Sequence, residues 1–192
     1  MQISDKKAES SIKTLLEWLG ENPNRHDLKE TPKRAVKQYK KIFSGYHVDL
    51  KSILKKPTIA AKKKMGMVLI PNIQFLSFCE HHFLPMIGEI NIAYLPSQKL
   101  AGIGTIIKIV NIFTHRLQLQ ENLTIQIIEA IEKYLDPKGV ATNINAQHYC
   151  VDHEKTGIPY GKLSTYHFLG AFQTNKALQN QFLSAINKRN TP

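Results

Sequence analysis

Both cysteines of this 192-residue chain lie next to histidines, in the segments Cys79-Glu80-His81-His82 and His148-Tyr149-Cys150. Thiolate sulfur and imidazole nitrogen are the ligands that zinc prefers in proteins. A single cysteine or histidine is more often simply buried or hydrogen-bonded. Because each cysteine lies within three residues of a histidine, in a chain with only eight histidines, the pattern predicts a metal site.

The number of ligands decides what such a site does, and the residues leave that number open. Three protein ligands leave a position free for catalysis, whereas four close a structural site. All four candidates could bind a metal, or three could bind it while a spare histidine transfers protons. The spacing fits neither the zinc-binding pattern of nucleobase deaminases nor the His-Glu-x-x-His helix of metalloproteases. The four candidate ligands are Cys79, His82, His148 and Cys150.

Two further groups of residues have the chemistry to bind an anion. Gly104, Thr105 and Lys108 open a predicted helix, where free backbone N–H groups and a lysine can hold a phosphate or a carboxylate. Arg34 and Lys37 are three residues apart and share one side of a basic helix. The ordinary interpretation is a strand-to-helix turn in the first case and a solvated helix surface in the second.

The apolar periodicity predicts the elements that carry these residues. Helices are predicted over 11–19, 104–118, 121–135 and around 178–186, together with one that Thr31 caps. Strands are predicted over 65–75, 86–94, 140–151 and 163–172, with a break or bulge at Pro71-Asn72. We therefore expect an α+β fold, in which an antiparallel four-stranded sheet (ββααββ) has helices on one face. An N-terminal helical pair precedes the sheet, a C-terminal helix follows it, and the uncovered face meets solvent or another subunit.

Charge is distributed unevenly along the chain. The net charge is +11, and residues 1–64 hold 16 of the 26 basic residues but only 7 of the 15 acidic ones. Such a segment favours an anionic partner, which could be nucleic acid, a membrane surface or a phosphorylated small molecule. The run Lys62-Lys63-Lys64 supports a nucleic-acid arm, but aromatic residues are sparse there and no nucleic-acid motif accompanies it. We predict a basic helical segment and connector over 1–64 and a catalytic domain over 65–192.

Composition also predicts the compartment. The two cysteines are 71 positions apart, which does not resemble the disulfide framework of a small secreted protein. The first residues contain no apolar core of a signal peptide, and no segment approaches the roughly 18 apolar residues of a membrane span. We therefore expect a cytoplasmic protein with no membrane partner.

Taken together, the motifs resemble type I GTP cyclohydrolase over roughly residues 11–188. The resemblance implies the tunnelling fold, in which a ring of subunits, typically ten, closes the open sheet. It also implies GTP as the substrate and Zn²⁺ as the cofactor. The segments that carry it are Glu30-Thr31-Pro32-Lys33-Arg34, Phe43-Ser44-Gly45-Tyr46, Cys79-Glu80-His81-His82-Phe83, Gln118-Leu119-Gln120-Glu121-Asn122-Leu123-Thr124 and His148-Tyr149-Cys150.

The same resemblance implies a role for each matching residue. The metal ligands would be Cys79, His82 and Cys150, and the acid–base groups would be His81 and His148. Glu121 would bind the guanine edge, and the remaining substrate-binding residues would be Gln120, Arg34, Lys37, Lys108 and Thr105. The implied reaction is hydrolytic opening of the guanine imidazole ring at C8, with release of formate and formation of 7,8-dihydroneopterin triphosphate.

The chain departs from the family pattern near the expected triphosphate. The family usually has Ser-Lys and then Arg where this chain has Gly104, Thr105 and Lys108, and ungapped counting puts Glu154, with Lys155 beside it, where an arginine is usual. A carboxylate repels a triphosphate, so one alternative is a paralogue that acts on a different or less phosphorylated purine nucleotide. A second alternative is a tunnelling-fold enzyme, such as a nitrile reductase, that uses Cys79 as a nucleophile.

Overall fold

A computed structural model describes residues 3–55, 57–62, 65–151 and 162–187. The chain forms two units, one ending at Ser44 and the other starting at Gly45, and each is described by itself. This boundary precedes the division predicted from charge, and Leu50, Ile53 and Leu54 pack against the core of the second unit. Where the catalytic part of the chain begins stays a prediction.

The first unit is a pair of helices, as the apolar spacing predicted. The helices are α1 (Asp5–Trp18) and α2 (Thr31–Ile42). The Ser4 side chain caps α1, and Pro32 lies in the first turn of α2, where its missing N–H costs nothing. An ion pair of 2.6 Å between Asp5 and Lys40 joins the two helices. Thr31 is the first helical residue rather than the cap predicted for it.

The second unit alternates hairpins and helices in the predicted order. After a 3-10 turn at Ser44–His47, its elements are α3 (Leu50–Leu54), β1 (Ile59–Ala60), β2 (Val68–Cys79), β3 (Pro85–Leu95), β4 (Lys99–Leu100), α4 (Ile103–Thr114), β5 (Leu117–Gln118), α5 (Gln120–Leu135), β6 (Gly139–His148), β7 (Leu163–Gly170), α6 (Ala171–Thr174) and α7 (Lys176–Asn187). The segment predicted as a plain basic connector therefore contains a short helix and strand β1, which pairs with β4. None of the helices in the described ranges combines the length and the apolar character needed to cross a membrane.

The main sheet has the strand order β5-β2-β3-β6-β7. The four long strands are antiparallel, which confirms the predicted sheet and the α+β class. The fifth strand, β5, was not predicted, and it pairs in parallel with the end of β2 through Phe78 and Cys79. Two residues are too short for any alternating pattern, so no sequence signal could mark this strand.

The two faces of the sheet are covered differently. Helices α4 and α5 pack on one face, where Ile90, Ile92 and Ile144 are fully buried among helical side chains. At one end of the opposite face, Ala93 and Ala141 pack against the C-terminal helix, whose Phe182 contacts the rings of Phe168 and Phe172 edge-on. The C-terminal helix therefore lies across the sheet from α4 and α5. The rest of that face exposes a patch that we call the open face, formed by Leu76, Ile87 and Tyr166.

The break predicted at Pro71-Asn72 is a bulge between β2 and β3. Asn72 has a φ of 57°, a left-handed conformation that asparagine tolerates better than most residues. Its backbone N–H donates to the Asn91 side chain at 2.9 Å, and Asn91 in turn donates to Asn143 at 3.0 Å. The extra residue in β2 shifts the alternation of its side chains by one position after the bulge, and this shift places Phe75 in the core.

One buried hydroxyl gives a test of the packing. Within the described part of the chain, Thr142 Oγ1 is the buried side-chain oxygen that has no hydrogen-bond partner. Replacing Thr142 with valine keeps the shape and removes the desolvated hydroxyl, so Thr142→Val should raise the free energy of unfolding by about 1 kcal/mol. Thr114 is the matched control, because its buried hydroxyl donates to the Val110 carbonyl at 3.1 Å. Urea unfolding should show that Thr114→Val is destabilised. A destabilised Thr142→Val would contradict the conclusion that the Thr142 hydroxyl has no hydrogen-bond partner.

Candidate metal centre

The first Cys/His segment is a tight turn between β2 and β3. Cys79 is the last residue of β2, and its N–H donates to the Leu84 carbonyl at 2.8 Å. The Phe83 N–H donates to the Cys79 carbonyl at 2.9 Å, which closes a single helical turn. Phe83 then leaves the turn with a φ of 58°. The turn brings His82 back over Cys79, with Nδ1 3.8 Å from Sγ, as the three-residue spacing predicted.

The second segment reaches the same place through β3. Met86 pairs with His148 at the end of β6, and the next N–H, of Tyr149, donates to the Pro85 carbonyl at 3.0 Å. His148 lies on the sheet face of Ile144 and Ala146, as alternation predicted. Strand β6 ends at His148, so Cys150 is placed by a turn and not by the strand.

These two turns bring three of the four predicted ligands together. The ligand atoms of Cys79, His82 and Cys150 all lie within 4.8 Å of one another. No fourth histidine, cysteine or acidic residue of the described segments belongs to this group. The geometry therefore groups three of the candidates and leaves His148 outside the group, and the number of ligands stays a prediction.

The three candidate ligands differ in exposure. Cys79 is only 5% exposed, Cys150 is half-buried, and His82 is exposed. Burial raises the pKa of the Cys150 thiol, and the neighbouring Cys79 raises it further. A bound cation reverses this effect, because it stabilises thiolates and is therefore coupled to proton release.

His148 is held by a hydrogen bond to α5. Its Nε2 lies 2.7 Å from Oε1 of Gln120, the first residue of that helix. Burial lowers the pKa of His148, and the negative charge of Glu121 opposes this effect more weakly. Burial therefore favours the uncharged form of the His148 imidazole, which can accept a proton. Glu121 itself is exposed in the first turn of α5.

Gln120 differs from the other predicted substrate-binding residues because its side chain is fully buried. Its amide group hydrogen-bonds to β6, β7 and His148 within the protein. A signal for this burial exists in the sequence. Gln120 occupies the position one turn before Leu123 and Thr124 on the inward stripe of α5, where a polar residue must find internal partners.

The remaining predicted site residues are exposed or lie elsewhere. His81 is exposed, with its ring edge-on to His82 at a centroid distance of 6.2 Å. Helix α4 begins one residue before Gly104, with Gly102 as its cap and Lys108 exposed one turn later. The other members of the predicted set are Thr105, whose N–H donates to the Gly102 carbonyl, and Arg34 and Lys37, which are exposed on α2 of the first unit. Glu154 and Lys155, at which the chain departs from the family pattern, lie outside the described residues. The roles implied for them stay predictions.

Known proteins resemble this chain along nearly its whole length. The profile of the family described as GTP cyclohydrolase I matches residues 8–187. GTP cyclohydrolase 1 of Pelagibacter ubique is 40% identical over 187 residues, which cover 97% of this chain and 93% of that protein. The enzyme of the same name from Rickettsia felis is 39% identical over 183 residues, covering 95% and 96%. That from Allorhizobium ampelinum is 37% identical over 186 residues, covering 97% and 92%.

A solved structure of an archaeosine synthase QueF-like protein aligns with a TM-score of 0.48 and 18% identity, over 56% of this chain and 97% of that one. This likeness is too remote to inform the fold or the function. The sequence matches, in contrast, cover at least 95% of this chain at 37% to 40% identity. The chain belongs to the GTP cyclohydrolase I family.

Proposed function

We propose that this protein is a zinc-dependent GTP cyclohydrolase, which opens the guanine imidazole ring at C8, releases formate and forms 7,8-dihydroneopterin triphosphate. The observation that carries the proposal is the group of three potential ligands, Cys79, His82 and Cys150, together with His148, which hydrogen-bonds to Gln120. The reaction takes up one water overall. Two are consumed in opening the ring and releasing formate, and one is lost when the new ring closes.

The donor set fits zinc. A tetrahedral zinc ion with bonds of about 2.3 Å to sulfur and about 2.0 Å to nitrogen would separate these two ligands by about 3.5 Å. The separation of 3.8 Å between Cys79 Sγ and His82 Nδ1 is close to this value. When bound there, zinc would supply a water molecule whose pKa is lowered towards neutrality.

The protein's own groups would then position the purine and move protons. His148 is placed to accept and return a proton as the C8–N9 bond breaks, and exposed His81 is a second candidate for this work. Glu121, at the exposed start of α5, would accept hydrogen bonds from the N1 and amino groups of guanine. Arg34, Lys37, Lys108 and Thr105 would bind the triphosphate.

A nucleophilic role for Cys79 fits the geometry less well. Cys79 is only 5% exposed, and its thiol lies near His82 and Cys150, whereas a nucleophilic thiol needs to be accessible to its substrate. The alternative of a less phosphorylated purine nucleotide rests on Glu154, which lies outside the described residues. Comparing GTP, GDP and GMP as substrates decides that alternative.

We further propose a cytoplasmic homo-oligomer, in the form of a ring of ten subunits. The open face supports an oligomer, because Leu76, Ile87 and Tyr166 each expose 40% to 47% of their surface on one side of the sheet. Apolar sheet surface of this kind is normally covered by another chain. Light scattering of the purified protein should give a mass close to ten times the 21.9 kDa of one chain. A mass of 21.9 kDa would contradict assembly.

Metal and activity can be tested on one sample. Purified protein loaded with zinc should bind one ion per chain and release formate from GTP, with a pterin product measured by fluorescence. Cys150→Ser replaces a thiolate by a hydroxyl that binds zinc poorly, so it should lose metal and at least about 100-fold in activity. Ser52→Ala is a control in α3, outside the proposed site. Full zinc occupancy without any formate release would contradict the function and leave the metal site intact.

The proposed phosphate contacts make a separate prediction. Arg34→Gln and Lys37→Gln each remove a cation that would bind the triphosphate, so each should raise KM for GTP by about tenfold with a smaller change in kcat. Lys13→Gln removes the same charge from an exposed position of α1 and should leave both constants unchanged. Equal effects of all three substitutions would indicate a general dependence on charge and contradict a specific contact.

A further inference from the structure

The orientation of the Gln120 side chain is fixed by the groups around it. Its Nε2 lies 3.0 Å from the Ile144 carbonyl and 2.9 Å from the Leu163 carbonyl. Carbonyl oxygens only accept hydrogen bonds, so the amide nitrogen must face them. The amide oxygen, Oε1, must then face His148.

A loop of hydroxyl groups supports the same orientation. The Thr124 hydroxyl donates to the Gln120 backbone carbonyl at 2.7 Å. It lies 2.7 Å from the Thr165 hydroxyl, which must therefore donate to it, and Thr165 Oγ1 accepts from Gln120 Nε2 at 3.1 Å. The donor and the acceptor of each hydrogen bond in this loop are therefore determined. A flipped amide would put its oxygen against two carbonyl oxygens.

This orientation determines where His148 carries its proton. Oε1 of Gln120 has no hydrogen to donate, so the contact of 2.7 Å exists only if His148 Nε2 carries one. In the neutral ring the lone pair is then on Nδ1. We propose that Gln120 is a positioning residue, which holds His148 in the Nε2–H tautomer so that Nδ1 is the ring nitrogen that exchanges protons with the substrate.

The inference rests on the proposed function and changes one assignment within it. The resemblance implied that Gln120 binds substrate, whereas its buried amide already uses both hydrogens and its oxygen inside the protein. Gln120 would thus act through His148 and not on the nucleotide. A glutamine that binds substrate and one that orients a base have different kinetic signatures, because the first affects mainly KM and the second mainly kcat.

The experiment compares Gln120→Met with Gln118→Met in the zinc-loaded protein. Gln118 is also buried, and its amide donates to the Phe113 carbonyl and to Gln126, without a contact to His148. Solid-state NMR of protein labelled with ¹⁵N-histidine reads the tautomer directly. A His148→Gln sample identifies the signals of that ring. Metal content and circular dichroism establish that each variant is folded.

We expect one tautomer, Nε2–H, for His148 in the natural protein and in Gln118→Met. Gln120→Met should show both tautomers, with kcat lowered at least about tenfold and KM for GTP changed by less than about threefold. The tautomer of the natural protein needs no substitution, so it keeps the inference falsifiable if the methionine variant does not fold.

Three results would overturn the inference. They are an Nδ1–H tautomer in the natural protein, an unchanged single tautomer and kcat in Gln120→Met, and a raised KM with unchanged kcat in that variant. The last result would show that Gln120 contacts the substrate. If the natural protein does not turn over GTP, the proposed function fails, while the tautomer measurement still decides how Gln120 holds His148.

Discussion

Strand β3 positions both segments of the candidate metal centre. The carbonyl of Leu84, just before β3, accepts a hydrogen bond from the N–H of Cys79, the first cysteine. The carbonyl of Pro85, the first residue of β3, accepts one from the N–H of Tyr149, next to the second cysteine. Because side chains alternate along a strand, a slip of one residue in either pairing would turn a ligand away from its partners. The ligand geometry therefore depends on the register of β3 with both neighbours.

Two features away from the ligands fix that register. Gly88 lies opposite Ala146, and a Cβ atom at this position would be 2.0 Å from the Asn145 carbonyl oxygen, so only glycine permits this close approach of β3 and β6. On the other side of β3, the bulge at Asn72 absorbs one residue, and the amide of Asn91 holds it in place. Both features lie within the sheet, one against each neighbour of β3. The sheet thus determines a distance between atoms that are 71 residues apart in sequence.

Local patterns predicted those parts of the site that depend on local geometry. A separation of three residues brought Cys79 and His82 together, and a separation of two or four placed His148 with Ala146 and Ile144. The position of Cys150 was less accurate, because a turn replaces the strand after His148. Strand β5 and the side of the sheet taken by α7 could not be predicted, since both depend on which distant surfaces remain uncovered. The orientation of Gln120 is another such case, because its acceptors come from β6 and β7.

Burial around the centre also determines the side from which a substrate can approach. Cys79 and Gln120 are buried in the protein, and His148 is half-buried with a hydrogen bond to α5. His82 is exposed in the turn after β2, and Glu121 is exposed in the first turn of α5. The turn that carries His82 and the first turn of α5 are therefore the solvent-facing parts of this region of the described chain. Under the proposed function, a purine that enters from this side would meet the Glu121 carboxylate before it reaches the more buried His148, so that recognition of guanine would precede proton transfer.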